Sequence, residues 1–303
     1  MKSETVINAG PFIFQECLAC GRGGSLDRDL IYRIQLNKTA LNEIYRCGIC
    51  KKEYSIEEGI IQSLISNNIF SQWYFISNIV LHGVCEIIVG NAHHVKLSQK
   101  VDKINKIYLT PQEGCVETAP IIYNSDTFSI ISAQHFNIAN LPPDSPFTKN
   151  GEKLKLGWTV YGRDNNVNFP IWRGLLFQAR EQIIQERYTL SVLISAIAFE
   201  SFLDSLIRKI LIKKGISHEA AETITDSMRS IFDKVHKLLF QEDGIDFKKN
   251  KTLNKNWQEL VEKRNEIAHG AEVSIKADEA KHAFETVIRG VFFLNREASV
   301  NLF

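Results

Sequence analysis

The hydrophobic positions of this chain change their spacing twice. From about Asn68 to Asn166, short runs rich in Val, Ile, Tyr and Phe are cut by turn residues, as in Cys85-Glu86-Ile87-Ile88-Val89, Ile107-Tyr108-Leu109-Thr110 and Thr127-Phe128-Ser129-Ile130-Ile131. Several short strands at fairly even spacing predict a β-sandwich over residues 67–166. After Phe169-Pro170 the period lengthens from two to about 3.6, the mark of a helical domain over residues 167–303. Proline suits a helix entry, and Ile171-Trp172 with Leu175-Leu176 begin a buried stripe. A helix from about Tyr188 to Lys213 carries Val192, Ala196, Phe199, Leu203, Leu206 and Ile210 at alternating spacings of four and three, the seam of a bundle. Gly215 ends it, Ser217 caps a third helix running to about Phe240, and Gln241-Glu242-Asp243-Gly244 breaks the pattern. A fourth helix is expected from about Leu253 to His269, closed by Gly270, and a fifth from about Asp278 to Asn295.

Ahead of both regions the cysteines carry the signal. Four of the six form two pairs, Cys17-Leu18-Ala19-Cys20 and Cys47-Gly48-Ile49-Cys50, 26 residues apart. Two residues between the members of a pair let one tight turn aim both sulfurs at a single ion, and two such turns complete a tetrahedral thiolate shell. Gly21 and Gly48 are expected to ease those turns. Strand-like runs, Leu30-Ile31-Tyr32-Arg33-Ile34 and Ile44-Tyr45-Arg46, lie between the pairs or beside them. The arrangement resembles a zinc ribbon over residues 11–66, with structural Zn2+ on Cys17, Cys20, Cys47 and Cys50. A closed shell of four sulfurs leaves no position for a reacting water, so the ribbon is expected to staple the fold and to offer a docking surface. Cys85 and Cys115 are ordinary thiols by their spacing, and His93-His94 is no ligand pair, because neighbours in a strand face opposite ways.

Composition removes some functions. With 36 Lys plus Arg against 35 Asp plus Glu, the formal charge of +1 gives no global field for a polyanion, so any nucleic-acid site must be a local patch. That balance, and the want of a helix-turn-helix pattern, count against a zinc-dependent DNA-binding regulator. The N-terminus has no secretory pattern, and no run of residues reads as apolar enough to span a bilayer, so the expectation is a cytoplasmic protein without a membrane partner.

Two resemblances go further. In the middle segment, the order of the Ile107–Thr110 strand ending at Pro111, then Gln134-His135-Phe136-Asn137-Ile138, then Leu156-Gly157-Trp158-Thr159-Val160-Tyr161-Gly162, resembles an H-type-lectin-like sandwich. The resemblance implies a recognition module for carbohydrate or another activating ligand, and it assigns no contact residue. In the helical region, Leu260-Val261-Glu262-Lys263-Arg264-Asn265-Glu266-Ile267-Ala268-His269-Gly270 resembles the HEPN ribonuclease motif: an Arg and a His separated by four residues, with Asn after the Arg. Ala196-Ile197-Ala198-Phe199-Glu200-Ser201-Phe202-Leu203 is similar to another helix of that family, acidic residue included. The resemblance implies a homodimer with a composite site.

The chemistry also stands without the family. Cutting RNA without a metal needs a 2′-hydroxyl deprotonated, a leaving oxygen protonated and charge on phosphorus stabilised. Histidine moves protons near neutral pH, and arginine grips phosphate oxygens in a fork. Arg264 and His269 lie about 140° apart around one helix, which favours a cleft between two copies, while Asn265 is one turn from His269 and placed to orient its imidazole. Glu200 and Asp204, four apart, are candidates to support Arg264 or His269. Lys248, Lys249, Lys251 and Lys255 form a local basic patch suited to RNA phosphates.

The sequence therefore predicts an α+β multidomain chain: an N-terminal zinc ribbon, a middle β-sandwich and a C-terminal HEPN-type helical bundle. The expected function is metal-independent endoribonuclease activity in a regulated toxin or antiviral defence effector. The alternative is a non-catalytic RNA- or glycan-binding scaffold that dimerises through its helices.

Overall fold

The computed structural model describes residues 5–7, 14–21, 23–25, 41–66, 75–97, 101–111, 128–132, 135–138, 150–165, 169–228, 230–270 and 274–300. The strand expected at Leu30–Ile34, and Cys115, lie outside them. In chain order the first elements are β1 (Thr5–Ile7), β2 (Phe14–Glu16), β3 (Gly23–Ser25), β4 (Ile44–Arg46), β5 (Glu53–Ser55) and α1 (Ile56–Ile65). Then come β6 (Ile79–Ile88), β7 (His93–Lys96), β8 (Lys103–Pro111), β9 (Phe128–Ser132), β10 (His135–Ile138) and β11 (Lys153–Arg163). The helices that follow are α2 (Ile171–Ile184), α3 (Tyr188–Lys213), α4 (His218–Ser227), α5 (Ile231–Asp233), a π turn (Lys234–Leu238), α6 (Leu239–Asp243), α7 (Lys251–Ala268) and α8 (Ala277–Glu297). The chain divides into two compact units, each made of two separate stretches: Met1–Gly10 with Ile76–Asn168, and Pro11–Phe75 with Phe169–Phe303.

The first unit holds two antiparallel sheets, one of order β1-β6-β11-β8 and one of order β7-β10-β9. Alternation along β11 sends Leu154, Leu156, Trp158 and Val160 inward, and these share one apolar core with Ile79, Leu81 and Ile107 of their own sheet and Val95, Phe136 and Ile138 of the other. Phe136 meets Trp158 edge to face, with ring centroids 5.8 Å apart. His93 and His94 alternate in burial, as their strand requires, and His94 Nδ1 lies 2.8 Å from Asn137 Oδ1. Cys85 is half-buried against the same core, which pushes its thiol up to about 11.

In the second unit, the helices form as their spacing predicts where the apolar seam is long. Helix α3 buries Val192, Ala196, Phe199, Leu203, Leu206 and Ile210, and it packs against α2, α4, α7 and α8. Against expectation, its most apolar 18 residues reach a mean hydropathy of 1.8, enough by length and composition to cross a membrane, and 56% of that window is buried inside the fold. The third helix differs from the expected single run to Phe240. It stops at Ser227, restarts at the Ser230 cap and passes through the π turn, where the Leu239 amide bonds the Lys234 carbonyl. A second difference is α1, a helix capped by the Ser55 hydroxyl on the Glu58 amide, in a stretch the cysteine pattern leaves unread. It packs on α8, where Arg289 donates to both oxygens of Glu58 at 2.9 and 2.7 Å and Arg296 to Glu57 at 2.7 Å.

Candidate functional site

The four paired cysteines converge. Cys17 and Cys47 are buried, Cys20 is half-buried and Cys50 exposed, and the four Sγ atoms lie within 4.8 Å of one another. Cys17 Sγ is 3.4 Å from Cys50 Sγ, and Cys20 Sγ is 3.8 Å from Cys47 Sγ. A tetrahedral ion with bonds of about 2.3 Å to sulfur separates its ligands by about 3.8 Å, so the set fits a four-coordinate metal. Each knuckle closes alike: the Gly21 amide bonds the Cys17 carbonyl at 2.9 Å, and the Lys51 amide bonds the Cys47 carbonyl at 3.0 Å. Both closing residues are left-handed, Gly21 at φ 64 and Lys51 at φ 62. The expected role of Gly21 is therefore met, whereas in the second knuckle Lys51, not Gly48, takes the unusual conformation. The amides of Cys50 and Ile49 direct toward Cys47 and draw its thiol down to about 6, while the neighbouring sulfurs, Cys17 first among them, push Cys50 up to about 11.

In the helical region the structure brings together Arg264 and Asn265 on α7 with Glu200 and Asp204 on α3. Arg264 Nη2 is 3.2 Å from Glu200 Oε1 and 3.3 Å from Oε2, and Arg264 Nη1 donates to Asn265 Oδ1 at 2.9 Å. Asp204 accepts from Lys234 Nζ at 2.6 Å. These residues, with Ser230, Ile231, Phe232 and Val261, line a cavity of about 230 Å³. Burial is the main influence on Glu200 and raises its carboxyl above the usual range; Arg264 and Lys234 pull it down, and Asp204 pushes it up. Lys234 was not foreseen, because it falls inside a run whose pattern continues as regular helix.

His269 is placed apart from these groups. It caps the C-terminus of α7, its amide bonding the Asn265 carbonyl at 3.0 Å, and its side chain is exposed and outside the cavity lining. Among the described residues no hydrogen bond joins its imidazole to Asn265, Glu200 or Asp204. Within one chain, Asn265 Oδ1 is engaged by Arg264 rather than by the imidazole. No family model, curated protein or solved structure matches this chain.

The lysines behave differently again. Lys248 and Lys249 end a short 3-10 helix at Phe247–Lys249, Lys251 opens α7, and Lys255 pairs with Glu259 at 3.6 Å; all four are exposed. They sit at the opposite end of α7 from the motif, Arg264 lying 13 positions, or roughly 20 Å of helix rise, beyond Lys251. The structure does not gather them into the cavity.

Proposed function

We propose that the helical region is a HEPN-type, metal-independent endoribonuclease that cuts RNA by attack of the 2′-hydroxyl, working as a homodimer in which each copy supplies Arg264 and His269. The observation that carries this reading is the joint placement of Arg264 and Asn265 in a polar cavity with an exposed, unengaged histidine at the end of the same helix. Arg264 would neutralise charge on the scissile phosphate, and His269 of the facing copy would transfer protons to or from the ribose oxygens. An exposed histidine outside its own cavity is what a site completed by a second copy leaves on each single chain.

In this reading the four cysteines hold structural zinc, the ion whose preferred geometry and sulfur chemistry suit their spacing. The unit built from β6 to β11 serves as the sensing module of a regulated toxin or antiviral effector, and the protein acts in the cytoplasm. The competing reading, a non-catalytic RNA- or glycan-binding scaffold, is favoured by one observation: Glu200 and Asn265 already engage the guanidinium of Arg264.

The deciding experiment compares RNA cleavage by wild type, Arg264→Ala and His269→Ala in buffer free of magnesium and manganese. A parallel substrate has every 2′-hydroxyl methylated. Loss of about 100-fold or more in both variants, and no cleavage of the methylated strand, is expected for a general acid–base site. Equal cleavage by all three proteins would remove the assignment, and binding without product would favour the scaffold.

A further inference from the structure

We propose that Lys234 is a second phosphate-contacting cation of the Arg264 cavity, and that Asp204 occupies it until RNA enters. The polyanion's being RNA rests on the ribonuclease reading; the role of Lys234 as an anion contact rests on the cavity.

Four observations converge on it. The Lys234 side chain is only 13% exposed, yet its ammonium lies in the lining of a solvent-connected cavity rather than in an apolar core. Holding a charge there costs several kcal/mol unless it is paired, and among the described residues Asp204 forms its ion pair, at 2.6 Å, while Glu200 adds a longer-range attraction. Lys234 opens the π turn, its ammonium reaching Asp204 on α3 while Val235, Leu238 and Leu239 are buried. Such single turns interrupt regular hydrogen bonding and recur at functional sites.

The charge balance completes the case. Arg264 and Lys234 stand against Glu200 and Asp204, so the cavity neutralises itself. Its volume of about 230 Å³ leaves room for a phosphate group. An arriving phosphodiester competes with a carboxylate for each cation, and the negative charge it adds is offset as Glu200 takes up a proton or Asp204 turns toward solvent. Arg264 offers a planar fork and Lys234 a point charge, a pair suited to neighbouring oxygens of differing geometry. Ser230, whose hydroxyl caps α5, lies at the same wall.

The test is equilibrium binding of a fluorescent 2′-O-methyl RNA oligonucleotide, which carries phosphates but cannot be cut by its own 2′-oxygen. Wild type is compared with Lys234→Gln, Asp204→Asn and Lys237→Gln, the last an exposed lysine of the same turn paired to Asp233 and absent from the cavity lining. Lys234→Gln is expected to weaken binding about tenfold and to reduce the salt slope by about 0.7, the value of one single-strand phosphate contact. Lys237→Gln should stay within about twofold. Asp204→Asn should tighten binding, a gain that loss of a merely structural pair would not give. Unchanged binding in Lys234→Gln, weakened binding in Asp204→Asn, or no binding by wild type and Asp204→Asn alike would overturn the proposal. The two readings fail separately. If Lys234→Gln weakens binding but no protein cleaves unmodified RNA, the ribonuclease reading falls and the anion contact stands. If cleavage requires Arg264 while Lys234→Gln binds as wild type does, the reverse holds.

Discussion

Arg264 meets Glu200 before it meets any phosphate, and that carboxylate sets the terms. Glu200 is half-buried, and burial holds its proton to a higher pH than an exposed glutamate would, with Arg264 and Lys234 opposing the shift and Asp204 adding to it. The folded protein thus binds this proton more tightly than the unfolded chain does. Acidification through the range just above the ordinary glutamate value favours the fold at this one group, opposite in sign to carboxylates held low by partners. The same protonation releases the guanidinium. Oligonucleotide affinity should rise as pH falls into that range, and Glu200→Gln should bind more tightly than wild type and lose that part of the pH response. A Glu200→Gln protein that binds no better, or keeps the full response, would show that the pair does not gate the site. At the same scale, Lys51 holds a left-handed conformation that costs an ordinary residue about 1–2 kcal/mol. Lys51→Gly should therefore raise stability, read as a higher melting temperature of the metal-loaded protein.

Among the elements, α3 and α8 set the precision of the site. Gly290 of α8 lies so close to the Phe199 ring that an added Cβ would stand 2.7 Å from it. Phe199 immediately precedes Glu200 and contacts Phe202, Phe247 and Trp257 within one buried aromatic group. Gly290→Ala should cost about 1–3 kcal/mol by overpacking, measured by denaturant unfolding, and a neutral result would mean that Phe199 can yield. The bounds of α3 were legible because its seam is long and alternates without a break. The interruption after Ser227 and the π turn were not, because Val235, Leu238 and Leu239 remain apolar at spacings that a regular helix also explains. The motif residues could be read as one set, and Glu200 as the partner of Arg264. Lys234 was hidden because it falls where the pattern continues as regular helix, and the bond between Arg264 and Asn265 depends on side-chain conformation, which no spacing encodes.

Across the molecule, the cysteine region and the helices form one unit and the sheets between them in sequence form another. The attachment of the cysteine region was illegible because α1 meets α8 across more than 230 positions, through packing and through the ion pairs Glu58 with Arg289 and Glu57 with Arg296. Those arginines and Glu58 are about one-third exposed, so each pair contributes about 1 kcal/mol or less. The metal's contribution is expected to exceed both, because thiolate sites of this kind couple binding to folding. Chelation should raise hydrogen exchange in β4, β5 and α1 while leaving β6 and β11 protected. Equal loosening of both units, or of neither, would contradict a local structural role for the metal.

The pairing of α1 with α8 also orders events at the ribosome. A chain made at about 5–20 residues per second needs roughly 12–46 seconds to pass from Glu58 to Arg289, 231 positions later. The strands of β6 to β11 emerge complete in that interval, while α1 waits with its apolar face, Ile60, Ile61 and Leu64, not yet covered by its partner helix. Because Gly290 of α8 also packs on Phe199, the residue before Glu200, the core behind the cavity is completed only after the cysteine knuckles have emerged. Synthesis itself thereby makes the cysteine region wait for the last helix before its packing is complete.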